Sequence, residues 1–178
     1  MRLFTAICFD EEIKNALFNA GKEAEKHSSG KFSEKENLHL TLVFIGETGR
    51  KDEIEKALSE IEFPAFDFEI KGTGTFEKGI FWAGISENEK LRKLYETVFE
   101  KLREIGFEPE EREFVPHITL ARKFLPEEDF SFAETEKLLP EKPVCAKRIS
   151  LMKSERVEGV LRYTEIYSKN FTEKKERQ

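Results

Sequence analysis

The stretch His39-Leu-Thr-Leu-Val-Phe-Ile-Gly46 has a near copy later in the chain, His117-Ile-Thr-Leu-Ala-Arg122. In both stretches a histidine and a threonine alternate with apolar residues, a pattern typical of a β-strand with one buried face. His39 and Thr41 would then share the open face of one strand, and His117 and Thr119 that of the other. Each strand is predicted to present an imidazole and a hydroxyl roughly 6.5–7 Å apart.

The segments before the two motifs also match, because each motif follows a strand, a helix and a loop. When Ala6 is placed beside Ala83, His39 lies 33 residues further on and His117 lies 34 residues further on. This internal repeat predicts two lobes related by a pseudo-twofold axis, each contributing one histidine strand to a shared cleft. Residues 1–178 are therefore expected to form a single domain of two interleaved lobes.

Apolar periodicity and capping signals predict the other elements. Ser86 is the expected N-cap of a helix that Gly106 closes, with Glu89 completing a capping box. A polar loop is expected after residue 26, and the polar tail, residues 172–178, is expected to fray. Strands are predicted over residues 2–9, 38–45, 63–76, 80–85, 114–121, 144–153 and 160–167, and further helices over residues 11–26, 50–61 and 132–138.

Composition limits the kind of partner that the protein can bind. Of the 178 residues, 38% are hydrophobic and 37% are charged, which predicts a packed interior beneath an ion-paired surface. The net charge of −6 argues against a broad grip on duplex nucleic acid, which needs a basic stripe. Contacts with a phosphate-bearing substrate are therefore expected to be confined to a cleft.

Cys8 and Cys145 are far apart, each within an apolar run, and are expected to be buried, reduced thiols rather than a disulfide. No apolar run approaches the roughly 18–20 residues of a membrane span. Residues 1–9 resemble a strand rather than a signal peptide. These features predict a cytoplasmic protein without a membrane segment, and a monomer is the default expectation.

The paired motifs suit acid–base chemistry on a cyclic phosphodiester. Opening the ring requires a proton from water and a proton for the leaving ribose oxygen, and histidine, with an ordinary pKa of about 6.5, can exchange either at neutral pH. Thr41 and Thr119 would donate hydrogen bonds to the charged phosphate oxygens. One histidine in a strand is usually structural, but two in matching contexts favour catalysis by His39 and His117 without a metal or cofactor.

Four other residues are weaker candidates. Arg122 could clamp a phosphate, although a regular strand would aim a side chain five residues after His117 away from the cleft. Trp82 and Phe44 could stack on a base, but aromatic residues in strands usually belong to the core. Arg2 is left open between the groove and the surface.

Neither a metal site nor a phosphate loop is expected elsewhere. His27 lies at a helix end, outside both repeats and without ligand-like spacing to the other histidines, so an exposed structural histidine is the favoured interpretation. Gly72-Thr-Gly74 matches neither a Walker nor a dinucleotide-binding pattern. Pro116 is expected to shape the entry to the second histidine strand, because it lacks a backbone donor.

Four segments resemble the 2H phosphoesterase superfamily, and in particular the RNA 2′,3′-cyclic phosphodiesterases once named 2′-5′ RNA ligases. They are Arg2-Leu-Phe-Thr-Ala-Ile, His39-Leu-Thr-Leu-Val-Phe-Ile-Gly46, Phe81-Trp-Ala-Gly and Phe114-Val-Pro-His-Ile-Thr-Leu-Ala-Arg122. The likeness covers nearly the whole chain. It implies an α+β, bilobal, duplicated fold in which two antiparallel sheets face a central cleft and the helices lie outside.

The resemblance also implies an activity, the metal-independent hydrolysis of RNA 2′,3′-cyclic phosphate ends to 2′-phosphates. It assigns His39 as the proton donor to the leaving 3′ oxygen and His117 as the proton acceptor from water. The chain itself is pseudo-symmetric and does not distinguish the two roles. Two alternatives stay open, namely the reverse reaction, which joins RNA ends through a 2′-5′ linkage, and a non-catalytic nucleotide- or RNA-binding module that uses the same cleft.

Overall fold

A computed structural model describes residues 1–174, which form ten strands and four α-helices. In chain order the elements are β1 (Arg2–Cys8), α1 (Glu11–Glu25), β2 (Ser28–Phe32), β3 (His39–Glu47), α2 (Lys51–Ser59), β4 (Phe66–Phe68), β5 (Ile70–Phe76), β6 (Ile80–Ile85), α3 (Glu89–Glu104), β7 (His117–Pro126), α4 (Phe132–Glu136), β8 (Val144–Ala146), β9 (Arg148–Val157) and β10 (Val160–Asn170). A 3₁₀ turn, Lys35–Asn37, precedes β3.

Two antiparallel four-stranded sheets organise these elements, with strand orders β10-β9-β1-β3 and β2-β7-β6-β5. A separate ribbon pairs β4 with β8. The histidine strands β3 and β7 belong to different sheets and contact each other. The duplicated α+β fold expected from the resemblance is thus present.

The repeat extends to a shared irregularity in strand pairing. Between β1 and β3 the register skips Leu42, and between β6 and β7 it skips Leu120. These leucines occupy the same position in the two motifs, and both are buried. A bulge of this kind inserts one extra residue and turns the following side chains onto the opposite face. The bulge is therefore a feature of both lobes and determines which residues reach the cleft.

The bulge also corrects the alignment of the two repeats. Ala6 lies opposite Thr41, whereas Trp82 lies opposite Thr119, so Ala6 corresponds to Trp82. The prediction that Ala6 matches Ala83 is wrong by one residue. Counting along the sequence aligned the small residues, but the register of the paired strands determines which positions are equivalent.

Each helix of the repeat covers the sheet of the other lobe. Helix α1, which follows β1 of the first sheet, contacts β2 and β7 of the second sheet. Helix α3, which follows β6 of the second sheet, contacts β3 of the first. Because the two halves exchange α1 and α3, each sheet is covered in part by a helix from the other half of the chain. We infer that the lobes fold as one domain.

The interior is mainly one apolar cluster formed by the sheets and the helices that cover them. Its largest fully buried side chains include Phe66, Phe68, Phe81, Leu58 and Leu94. Burial of one such side chain contributes roughly 1.5–3 kcal/mol. A smaller cluster of Phe4, Ala6 and Met152 lies against Cys8 and Tyr163, beside the first histidine.

Strand β2 was not predicted, because Ser28–Phe32 is polar and lies where a loop was expected. It pairs with β7 at the edge of the second sheet. Gly30, with a φ of +156°, allows this approach, since a Cβ there would lie 3.1 Å from the carbonyl oxygen of Arg122. Tertiary pairing thus overrides a weak local pattern.

Other boundaries differ in ways that have local causes. Asn88, not Ser86, caps α3, because its side chain accepts a hydrogen bond from the Leu91 amide at 2.9 Å. The predicted strand over residues 63–76 is divided, since β4 and β5 join different sheets. Strand β7 begins at His117, three residues later than predicted.

The start of the predicted frayed tail is ordered. Thr172 donates its amide to Phe63 and accepts from the amide of Ala65, both at 2.9 Å, and Lys174 pairs with Asp67. The prediction is therefore wrong for residues 172–174, while residues 175–178 lie outside the described part of the chain.

Cys8 and Cys145 are free thiols, as predicted, although each is only partly buried. Within residues 1–174, no helix has the length and apolar character that a membrane crossing requires.

Candidate active site

His39 is fixed at both ring nitrogens at the start of β3. Its Nδ1 lies 2.7 Å from the carbonyl oxygen of Asn37, and its Nε2 lies 2.8 Å from the Thr41 hydroxyl. Because a carbonyl oxygen can only accept, Nδ1 must carry the proton in the neutral ring. Nε2 then holds a lone pair that accepts from Thr41. This nitrogen is the one available for proton exchange.

His117 repeats this arrangement at the start of β7. Its Nδ1 donates to the carbonyl oxygen of Val115 at 2.8 Å, again two residues upstream. Within residues 1–174, its Nε2 and the hydroxyl of Thr119 make no hydrogen bond to the protein. Both imidazoles are therefore held in the same tautomer, with Nε2 as the free acceptor in His117 and a threonine-bound acceptor in His39.

Asn37 is a positioning residue that the sequence analysis missed. Its carbonyl orients His39, while its side chain donates to the Leu161 carbonyl at 2.8 Å and accepts from the Tyr163 amide at 3.0 Å. These contacts tie the turn before β3 to β10. The sequence could have indicated this role, because the residue two positions before each histidine enters the strand and its backbone carbonyl can face the imidazole ring.

Aromatic rings enclose each imidazole. The centroids of Phe4 and Tyr163 lie 4.9 and 5.0 Å from that of His39, and Phe76 meets His117 edge-on at 4.8 Å. Such packing limits ring rotation and excludes water from one side of each histidine. It also places the two rings in an environment that disfavours charge.

Burial accordingly lowers the pKa of both histidines. The pKa of His39 falls to about 4, chiefly because its imidazolium would be desolvated, and the positive charges of Arg122 and His117 lower it further. Burial also lowers the pKa of His117, and Arg122 acts in the same direction. The hydrogen bonds to the upstream carbonyls oppose these effects. Both imidazoles are thus neutral at pH 7, and each senses the charge of Arg122.

Arg122 reaches the cleft because of the bulge. A regular strand would aim it away from the face of His117, but the extra residue Leu120 reverses the alternation. The burial pattern is the same in β3 and β7. In each strand, the two residues after the threonine are buried and the third is exposed. That exposed residue is Phe44 in the first lobe and Arg122 in the second. The expectation of an outward Arg122 is wrong for this physical reason.

Residues 10–158 match the family model described as the 2′-5′ RNA ligase superfamily. The chain belongs to this superfamily. It is 37% identical over 128 residues to an RNA 2′,3′-cyclic phosphodiesterase of Archaeoglobus fulgidus, covering 68% of this chain and 72% of that protein. It is 36% identical over 157 residues to an RNA 2′,3′-cyclic phosphodiesterase of Thermotoga maritima, covering 76% and 81% of the two chains.

Solved structures show the same fold. The crystal structure of E. coli LigT in apo form superposes with a TM-score of 0.80 at 24% identity, covering 96% of this chain and 97% of that one. The structure of LigT complexed with 3′-AMP gives a TM-score of 0.78 at 25% identity, covering 96% and 98%. The family model and the curated relatives confirm the resemblance to the 2H phosphoesterases that the sequence indicated.

The two aromatic candidates, Phe44 and Trp82, differ in how far their side chains are exposed to solvent. Phe44 is 46% exposed, so its expected place in the core is wrong, and its ring touches Phe4 at a centroid distance of 5.7 Å. Trp82 is half-buried and lies over Gly74, where a Cβ would come within 2.4 Å of the indole. The indole Nε1 is buried without a hydrogen-bond partner among the described residues. Phe44 therefore offers the more accessible face for stacking.

The remaining candidates lie outside the pair of histidines. Arg2 is exposed at the start of β1, and Pro116 immediately precedes β7, where pairing with β6 begins at His117. His27 is exposed and its Nδ1 lies 2.7 Å from a carboxylate oxygen of Asp129, a surface contact. Within residues 1–174, no group of three or more His, Cys, Asp or Glu side chains is arranged to hold a metal ion.

Proposed function

We propose that this chain hydrolyses the 2′,3′-cyclic phosphate at an RNA end to a 2′-phosphate, with His39 and His117 as its acid–base pair. The observation that carries the proposal is the duplicated tether, in which each Nδ1 donates to an upstream carbonyl and each Nε2 is left to exchange a proton. The activity named for the archaeal and bacterial relatives supports this reaction.

The proposed reaction consumes one water molecule. Nε2 of His117 accepts a proton from water as the water oxygen bonds to phosphorus. The bond between phosphorus and the 3′ oxygen breaks, and the protonated Nε2 of His39 delivers its proton to that oxygen. The products are a 2′-phosphate and a 3′-hydroxyl. Proton transfer between the two histidines through solvent restores the starting state.

His39 must gain a proton before it can act as the acid. Its pKa of about 4 keeps it neutral in the free protein at pH 7. A phosphate anion beside the ring favours the imidazolium and raises this pKa. The bound phosphate anion thus stabilises the protonated form of His39, which can then act as a proton donor. The Thr41 hydroxyl donates to Nε2 while His39 is neutral, and protonation of Nε2 frees this hydroxyl to donate to the phosphate.

Charge on the phosphate oxygens would be stabilised by three groups, the hydroxyls of Thr41 and Thr119 and the guanidinium of Arg122. Arg122 makes no ion pair or hydrogen bond through its side chain within residues 1–174, which supports an external anion as its partner. A guanidinium matches phosphate oxygens in two parallel hydrogen bonds. Phe44 lies at the equivalent position of the other lobe and would stack on the base, with Trp82 as a secondary platform.

The test is incubation of adenosine 2′,3′-cyclic phosphate with the protein in EDTA. We expect adenosine 2′-phosphate to accumulate at the rate seen without chelator, because side chains carry out both proton transfers. Formation of the 3′-phosphate would contradict the assigned leaving group, and loss of turnover with chelator would contradict a metal-free reaction. Tight binding without product over long incubation would instead support the binding-module alternative.

Ligation is the second candidate function, favoured by the name of the matching superfamily. A 5′-hydroxyl that replaces water would form a 2′-5′ linkage with the same two histidines, because an enzyme catalyses both directions of its reaction. Comparison of hydrolysis and joining rates on RNA with cyclic phosphate and 5′-hydroxyl ends separates the two.

The free thiols Cys8 and Cys145 support a reducing, cytoplasmic location.

A further inference from the structure

A second cavity opens beside His39, away from the Thr41 hydrogen bond. Its volume is about 160 Å³, roughly ten times the space that one water molecule needs. Its lining includes His39 itself, Asn37 and Tyr163, so it shares a wall with the candidate active site. The charged residues around it are Lys14, Arg148, Glu36 and Glu165.

Lys14 is half-buried on α1 and has no hydrogen bond or ion pair through its ammonium group within residues 1–174. Burial raises the pKa of Cys8 and lowers that of His39, and the charge of Lys14 acts on both groups, so its ammonium group lies near both. An ammonium group that is partly withdrawn from water and has no partner can gain a charge-assisted hydrogen bond from an anion. Within the described residues, none of the protein's carboxylates fills that role.

The two carboxylates at the cavity differ in availability. Glu165 accepts from the Ser150 hydroxyl at 2.5 Å and pairs with Arg148 at 3.2 Å, so it anchors that guanidinium at the cavity. Glu36 is exposed, where solvent and salt screen its charge. Lys14, the remaining N–H groups of Arg148 and the Tyr163 hydroxyl, which makes no hydrogen bond within residues 1–174, are the groups left to meet a ligand. All three can donate hydrogen bonds to an anion.

We propose that this cavity binds the phosphodiester on the 5′ side of the terminal nucleotide, and the proposal rests on the function proposed above. A ribose that presents its 2′ and 3′ oxygens to His39 has its 5′ carbon at the opposite edge of the sugar. The chain that continues from that carbon carries its next negative charge one nucleotide away. A cavity next to His39, with an unpaired ammonium and an anchored guanidinium, is placed to receive it.

Such a cavity would let a chain of net charge −6 select RNA over a free nucleotide. Broad electrostatic attraction is absent, so discrimination must come from local contacts. The cyclic phosphate occupies the histidine cleft and the preceding phosphodiester occupies the Lys14 cavity. Substrates with a 5′-hydroxyl leave the second position empty.

The experiment compares two substrates that differ only at the 5′ position, adenosine 2′,3′-cyclic phosphate and its 5′-(methyl phosphate) diester. Wild-type protein is expected to show a kcat/KM about tenfold higher for the diester, the usual scale of a hydrogen-bonded charge pair. Lys14→Gln should reduce this ratio several-fold, while Arg148 and the Tyr163 hydroxyl remain to bind the phosphodiester. Lys26→Gln, which removes an equal charge from the C-terminal end of the same helix, should keep it, because Lys26 pairs with Glu23 at the surface.

The ratio of the two substrates cancels any general loss of folded protein or change in the pKa of His39. Equal turnover of both substrates by the wild type would overturn the cavity assignment and leave the proposed function intact. An undiminished advantage of the diester in Lys14→Gln would also overturn it, because the phosphodiester would bind elsewhere. Failure of the wild type to hydrolyse either substrate would overturn the proposed function, and this inference with it.

Discussion

Replacement of His39 or His117 by alanine is expected to lower kcat by roughly 10²–10⁴-fold, the range of one positioned acid or base. Each imidazole exchanges one of the two protons that the reaction requires, and within residues 1–174 no other histidine lies in the cleft. The double variant should lose little more than either single variant, because the two groups act on the same bond exchange. Steady-state turnover of adenosine 2′,3′-cyclic phosphate measures all three.

His27→Ala is the matched control, since the His27 ring lies at the surface and, within residues 1–174, hydrogen-bonds to Asp129 alone. It should retain wild-type turnover. Circular dichroism separates loss of folding from loss of chemistry, which matters for His39 because its ring packs against Phe4 and Tyr163. Full activity in either cleft variant would contradict the acid–base assignment.

A substrate with sulfur in place of the bridging 3′ oxygen should restore turnover selectively to His39→Ala. A thiolate leaves without protonation, so the missing acid no longer limits the reaction. We expect the roughly 10²-fold or larger defect of this variant to shrink to within about tenfold of wild type. His117→Ala should keep its defect on the same substrate, because its missing base must still activate water.

This comparison assigns the two roles that a pseudo-symmetric sequence leaves open. Rescue of His117→Ala instead of His39→Ala would reverse the proposed donor and acceptor. Rescue of neither variant would show that proton transfer to the leaving group is not the step that His39 assists. Release of free thiol gives a continuous optical readout for both variants.

Much of the fold can be predicted from the sequence, because most helices and strands carry a recognisable pattern of apolar, polar and capping residues in their own segment. The alternation around His39 and His117 predicts two strands with an open polar face. The α1 helix begins after Asp10, a residue type favoured at helix N-caps, whose side chain accepts from the Ile13 amide at 3.0 Å. The repeat predicts two equivalent lobes. These features depend on neighbouring residues alone, so they need no knowledge of distant contacts.

Apart from the Asn88 cap of α3, which is local, the main features that the sequence did not reveal depend on tertiary pairing. The bulge at Leu42 and Leu120 arises only when β3 and β7 pair with their partners, and it brings Arg122 to the cleft face. Strand β2 exists because β7 offers an edge to a polar segment. The roles of the Asn37 carbonyl and of Lys14, which has no partner among residues 1–174, likewise become visible only once β10 and α1 are in place.

We propose that both imidazoles bind a single phosphate, and NMR titration of the histidine ring signals with adenosine 2′-phosphate measures whether they do. The pKa of His39, about 4 in the free protein, and the lowered pKa of His117 should both rise when the dianion binds, because its charge stabilises each imidazolium. A rise for only one histidine, or for neither at saturating ligand, would contradict the account.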